Sequence, residues 1–465
     1  MPDDPRPTTT TRPPTKTPTT TTTQPPTQPP TQPPTLFTGA RVLIGDASDP
    51  IDNAALLVRN GLITAIGPAD SVTAPSDAHC VDLRGKTVMP TIVNPHGHIG
   101  YLRGADTSSA HYSRENVLDH LRRLAYYGVS VFQSLGTDRD DIEITLRDEQ
   151  RAGLLQEPGL PLLLTAGNGL IAPTPGSPNG GPYFATDVIR EVTTPEEARA
   201  TVRELAAKKP DAIKFWVDDR WSTKAKFGPD VYTAIIDEAH RLGHTVIAHI
   251  FDLEDAKGVV RAGVDGIAHM VREPGPDAEL LKLLKDNDVF AFTSMSIQKA
   301  VPEGTAWLDD PDVSETVPAD ALAAIRAQIE SIPADKLAEM KESYAVLEAG
   351  LRAYVDGGVR IVLSADSGLF VQFFGIAEHR ELQAMVQAGM PAQQAIQAAT
   401  QTPARILGLP DRGTLEPGKR ADLLVLDADP LDDIANTRKI SAVYLAGKPV
   451  DRAALRAAWT ADTPA

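Results

Sequence analysis

The chain has 465 residues, a formal net charge of −17 and a single cysteine, Cys80. So acidic a surface argues against nucleic acid or an anionic membrane as the main partner, and no apolar run reaches the roughly 18 residues of a membrane helix. One cysteine excludes a disulfide framework and a cysteine-based zinc cluster.

The opening MPDDPRPTTT lacks the apolar core of an export signal. Residues 1–35 are mostly Thr and Pro, with TQPP repeated from Thr23 to Pro34. Such a segment buries no core and is expected to be an extended, disordered linker. Linkers of this kind often follow an export signal or lipid anchor. A cytoplasmic location is therefore the default expectation, with an exported or cell-surface form as the alternative. From Leu36 the texture changes: ARVLIGD, AALLVRN, GLITAIGP and TVMP are short strands between Gly, Asp and Asn turns. The tail from Thr414 behaves alike, with ADLLVLDAD and SAVYLAGKPVD as strands.

Between these ends lie eight strand-like runs: TIVNPHGH, VSVFQSL, LPLLLTA, DAIKFWV, TVIAHIF, DGIAHM, VFAFTSM and RIVLSAD. Helical segments fall between several of them. PEEARATVRELAAKK opens on Pro and early acids, and PDVYTAIIDEAHRLG closes on Gly243. The expected fold is α/β: a (β/α)8 TIM barrel with a small β-sandwich domain built from both chain ends. The expected boundaries are 36–89 and 411–455 for the sandwich, 90–410 for the barrel and 456–465 for a C-terminal tail. An open doubly wound sheet explains less, because polar residues recur where a barrel places its active site, at the C-terminal ends of the strands.

Those polar residues define a candidate centre. His96 and His98 flank Gly97 and share one face of an extended strand, so two imidazoles can grip one divalent cation. His249 and His269 end two later strands, and Asp366 ends the last, as a helix cap or as a metal ligand and general base. Lys214 lies between Ile213 and Phe215, where an unpaired ammonium is costly. It either pairs with Asp218 or Asp219 or is neutral enough to add carbon dioxide. The resulting N6-carboxylysine is an anionic oxygen ligand able to bridge two metals.

The ordered set His96-x-His98, Lys214, His249, His269, Asp366, with the closing GTLEPGKRADLLVLDADP, resembles the amidohydrolase superfamily, in the subgroup of imidazolonepropionase-like proteins and metal-dependent Xaa-Pro dipeptidases. The resemblance covers about residues 36–455 and implies two divalent metal ions, zinc or else manganese, cobalt or iron. It implies that His96, His98 and Asp366 hold the more buried metal and His249 and His269 the more exposed one, with modified Lys214 bridging. Dimers or higher assemblies follow by analogy only. The family usually has Asp where this chain has Asn94.

The chemistry expected is hydrolysis of a carbon–nitrogen bond in a small molecule (an amide, dipeptide, carbamate, urea or cyclic imide) by metal-activated water, with Asp366 as the base. A lactonase or phosphotriesterase on the same metals, a mononuclear deaminase and a non-catalytic scaffold are the alternatives. Loops after the strands offer Tyr101, Arg103, His111, Tyr112, Arg220 and Arg272 as substrate contacts, with surface ion pairing as the competing role for the two last-named arginines. Phe370, Phe373 and Phe374 suit an apolar pocket wall or a helix-packing face, and the stretch from Ile297 to Asp335 is long enough for a lid. His240 and His244 precede a strand and so fall at the wrong end of the barrel, and AGNGLIA lacks the helix a dinucleotide loop needs.

Overall fold

The computed structural model describes residues 33–461 except 156, 158, 174–183, 185, 220 and 221. The expected Thr/Pro linker therefore lies outside the described residues up to residue 32, and Thr35 already begins a strand.

The eight apolar runs form parallel strands: β1 (Ile92–Gly97), β2 (Val129–Ser134), β3 (Leu162–Thr165), β4 (Ile213–Val217), β5 (Val246–Ile250), β6 (Gly266–Ala268), β7 (Phe290–Phe292) and β8 (Arg360–Val362). They are mostly apolar because helices cover one face and the barrel core the other. Strands β1, β2 and β3 pair in one run, and β4 to β8 in a second. Backbone hydrogen bonds join the runs at both seams, Asp211 N to Thr165 O and His98 N to Ser367 O, each at 2.8 Å. The result is a closed (β/α)8 barrel. Between β3 and β4 a short strand, Gly169–Ile171, pairs with β4 and with Ile189–Glu191.

Local signals set the helices as the sequence predicts. Pro195–Ala206 opens with a Thr194/Glu197 capping box and Pro in its first turn. Pro229–Arg241 ends before Gly243, whose φ of +81° suits glycine.

Both chain ends build one eight-stranded sheet, in which Leu423–Leu426 pairs antiparallel with Thr87–Pro90. Alternation splits its faces. Leu423 and Val425 join Phe37, Leu56, Ile63 and Val88 in the sandwich's own core, whereas Leu424 and Leu426 join the barrel's core.

Two expectations give way to helices. Residues 456–461 are not tail but the end of a helix, Arg452–Ala461. Its Leu455 and Trp459 pack one turn apart on the barrel core, and the Trp459 indole donates to Asp119 at 2.7 Å. The stretch considered as a lid carries the helices Pro311–Ser314 and Ala319–Glu330. It is tied down by Arg438 to Asp310 and Asp312 and buries Trp307, Leu308 and Ile325. Among the described residues no helix is long and apolar enough to cross a membrane.

Candidate metal centre

Strand β1 delivers His96 and His98 to the barrel mouth, 0% and 4% exposed. Glycine is required between them, since a Cβ on Gly97 would lie 2.5 Å from the Phe132 ring. Each Nδ1 is held by a hydroxyl, Ser364 Oγ at 2.9 Å for His96 and Thr137 Oγ1 at 3.2 Å for His98. That fixes the ring orientations and turns both Nε2 atoms toward Asp366 Oδ1, at 3.5 and 3.3 Å. Ligand atoms of these three residues lie within 4.8 Å of one another. Asp366 is bent into the site by a φ of +52°, a conformation costly for a residue with a Cβ.

His249, at the end of β5, and His269, just past β6, complete the ring of imidazoles. The His269 ring lies 5.1 Å from His96 and 4.9 Å from His249, and its Nε2 is 4.0 Å from Asp366 Oδ2. His269 also holds a left-region φ, +136°. His249 Nε2 is 3.0 Å from Asp218 Oδ2.

Lys214 points into the same space from β4. It is fully buried, its Nζ has no hydrogen-bond partner, and it stands 5.2 Å from the Trp216 ring centroid. Gly169 makes the slot for that ring: a Cβ there would lie 2.0 Å from it. Burial pulls the Lys214 amine down to about 7, against the attraction of Asp366. The alternative salt bridge does not form. Asp218 faces His249, and Asp219 accepts from the backbone of Ser222 at 2.9 Å.

Among the described residues, four buried polar atoms of this centre lack a hydrogen-bond partner: His96 Nε2, Lys214 Nζ, Asp366 Oδ1 and His269 Nδ1. Each such atom costs roughly 1–3 kcal/mol when left unmade, so the first three, on side chains that share one space, suit a ligand that satisfies them together. The protonation states agree. Burial keeps the His96 and His269 rings neutral, far below the ordinary histidine value. Burial pushes the Asp366 carboxyl up, but its histidine neighbours, with a hydrogen bond from His98, outweigh it and hold the carboxyl well below the usual carboxylate range. Neutral imidazoles and an ionised carboxylate are the donor set of a divalent cation.

The structure separates the expected substrate contacts. Arg272 follows His269 and lies 5.3 Å from the Phe251 ring. Its charge adds to the burial that lowers His269. Both tyrosine hydroxyls are engaged inside the protein: Tyr101 donates to Thr137 O at 2.7 Å, and Tyr112 lies 3.0 Å from both Asp138 Oδ1 and Glu143 Oε1. Arg103 is exposed on a two-residue strand, and His111 pairs with Asp106 at 2.8 Å. Arg220 lies outside the described residues. Phe374 stacks on His120 at 4.2 Å, which is core packing.

Sequence reasoning missed Ser364, Thr137, Phe292 and Phe184. Ser364 sits two residues before Asp366, so the strand period could have found it. Phe292 stacks on His96 at 5.4 Å, and Phe184, from a stretch of sequence with no periodic signal, lies 4.9 Å from His98. Of the other motifs, His240 pairs with Asp265 at 2.8 Å, and AGNGLIA runs into the strand Gly169–Ile171.

The sequence model of the Amidohydrolase family matches residues 87–450. Ochratoxinase of Aspergillus niger is 25% identical, over 88% of this chain and 85% of that one. Imidazolonepropionase of Deinococcus radiodurans is 25% identical, over 89% and 98%. Among solved structures, a Bifidobacterium longum protein described as a prolidase superposes with a TM-score of 0.72 at 27% identity, covering 93% of this chain and all of its own. The chain belongs to the amidohydrolase family and is a hydrolase acting on carbon–nitrogen bonds.

Proposed function

We propose that the chain is a binuclear metal-dependent amidohydrolase that cleaves a small molecule at an amide, dipeptide, carbamate, urea or cyclic imide bond. The observation that carries this reading is Lys214: buried among imidazoles, without a hydrogen-bond partner, and with burial pulling its amine down to about 7. A neutral amine has a free lone pair. Nζ would add to the carbon of carbon dioxide and lose one proton, giving a carbamate that would supply anionic oxygen ligands. His96, His98 and Asp366 would hold one ion and His249 and His269 the other, with carboxylated Lys214 shared.

When bound, the ions, zinc or another divalent metal, supply a Lewis acid and a water acidified toward neutrality. Asp366 takes the proton of the attacking water and hands it to the leaving nitrogen. Ser364 and Thr137 keep the His96 and His98 rings aimed while this happens. Arg272, whose charge is felt at His269, would pair a substrate carboxylate. Ochratoxinase, imidazolonepropionase and prolidase are three different names on one fold, which supports the bond class and not one substrate.

Metal analysis of the purified chain is expected to find close to two divalent ions. A panel of N-acyl amino acids, Xaa-Pro dipeptides, aryl carbamates and phenylureas is expected to show hydrolysis in at least one class. Turnover confined to lactones or phosphotriesters, or ammonia release from aminated rings by a one-metal protein, would overturn the reading.

A further inference from the structure

Asn94 stands where the resembled family usually has an acid, and the structure shows what meets it. The side chain is fully buried. Its Oδ1 accepts the backbone N–H of His96 at 3.1 Å, so its Nδ2 faces away and donates to Glu378 Oε1 at 2.6 Å and Ser367 Oγ at 3.2 Å. Glu378, also 0% exposed, comes from the helix Ile376–Gln387 that follows β8. The same Oε1 accepts the Ser367 hydroxyl, and Oε2 accepts the backbone N–H of Gly375 at 2.7 Å. Every group facing the Glu378 carboxyl is thus a donor.

This ring joins the two halves of the His96–His98–Asp366 cluster. Asn94 holds the backbone of His96. Ser367 directly follows Asp366, and its carbonyl accepts the backbone N–H of His98 at 2.8 Å. The approach is tight there, since a Cβ on Gly368 would lie 2.0 Å from the His98 carbonyl oxygen. Asp366 keeps its left-handed backbone at this junction.

We propose that Glu378, through its directional pair with Asn94, is a positioning residue that sets the spacing between the His96–His98 pair and Asp366. The inference rests on the reading that these three residues hold a metal. The pair has a polarity: amide donor on β1, carboxyl acceptor on the helix. In Glu378→Gln one amide group must face another donor, either Gly375 N–H or Asn94 Nδ2. In Asn94→Asp two acceptors meet across 2.6 Å. Both changes together restore the bonds in reverse. Asp at 94 accepts from the Gln amide and the Ser367 hydroxyl, while the Gln carbonyl accepts from Gly375.

The test is cobalt(II) titration of chelator-stripped protein, followed by affinity and by the visible absorption spectrum of the bound ion, which reports ligand geometry without turnover. Each single variant is expected to bind about 10- to 100-fold more weakly than wild type with a shifted spectrum, and the double variant to recover most of both. Should Glu378→Gln not yield folded protein, Glu378→Asp, which withdraws the carboxyl by one methylene, is measured in its place with the same loss expected. Wild-type affinity and spectrum in the single variants, or a double variant no better than either, would overturn the inference while leaving the metal reading intact. A wild-type chain that takes up no cobalt overturns the metal reading and the inference with it.

Discussion

Two buried lysines show how differently the barrel mouth and the outer helical layer treat charge. Lys257, on the outer helix Leu253–Arg261, is only 5% exposed. Its Nζ lies 3.1 Å from Glu254, 2.7 Å from Asp277 and 3.0 Å from Glu279, and these hydrogen bonds, Asp277 first, raise its affinity for the proton. Arg147, 1% exposed, is likewise held by Asp148, Asp211 and the carbonyls of Lys208 and Lys209. Lys214 at the mouth is fully buried with no such partner, and its amine is driven toward neutrality. Burial with partners is ordinary structural chemistry. Burial without them marks the place where the fold leaves atoms for something else to satisfy.

The contrast breaks most sharply at Lys214 itself. Lys214→Ala is expected to lower hydrolysis by more than about 10⁴-fold, beyond the 10²–10⁴ of a lost general base, and to reduce metal content. Short carboxylates added to that variant are expected to restore part of both, because they supply the missing oxygens. Full activity in the variant would remove the carbamate bridge from the reading. Asp366→Asn comes next, with an expected fall in kcat of roughly 10²–10⁴-fold at substrate saturation; an unchanged kcat would assign the base elsewhere.

Stability should run the other way. In metal-stripped protein, Lys214→Met removes an unsatisfied buried amine and is expected to raise unfolding free energy by about 1–3 kcal/mol, read by urea denaturation. The same change at Lys257 removes three ion pairs, so its melting temperature is expected to fall by about 1–3 °C with metal content and turnover unchanged. Two shifts of the same sign would show that partners, not burial, had been misread as the difference.

The legible part of this centre was the part written as chemistry-bearing residues at strand ends. His96 and His98 share a face by the two-residue period, and His249, His269 and Asp366 each close an apolar run, so order and spacing alone proposed a cluster. What orients those ligands was less visible. Thr137 and Ser364 are common polar residues whose meaning comes from the ring nitrogens they meet, and Glu378 reaches Asn94 across 284 positions of chain. Loop tyrosines misled for the same reason. A hydroxyl near a site looks available in sequence, whereas Tyr101 and Tyr112 spend theirs on Thr137, Asp138 and Glu143. The C-terminal helix was hidden because two apolar side chains one turn apart, Leu455 and Trp459, show their role only against the surface they cover.

Proton linkage separates the two lysines by pH. An unfolded lysine titrates near 10.5, whereas folded Lys214 releases its proton near 7. Between those values the unfolded chain binds more protons, so Lys214's contribution to stability rises with pH, and its full cost is felt below 7. The advantage of Lys214→Met in metal-stripped protein should therefore be largest below pH 7 and shrink steadily toward pH 10.5. Lys257 has the opposite sign. Its proton is held more tightly when folded, so its contribution is fully present below 10.5 and is lost as pH rises beyond it. Paired denaturation curves of Lys214→Met and Lys257→Met against wild type, taken from pH 6 to 11, would show one difference closing across the neutral-to-alkaline range while the other holds. Parallel pH dependences would mean that Lys214 keeps its proton in the metal-free fold, and would require a partner for it that opens only in solution.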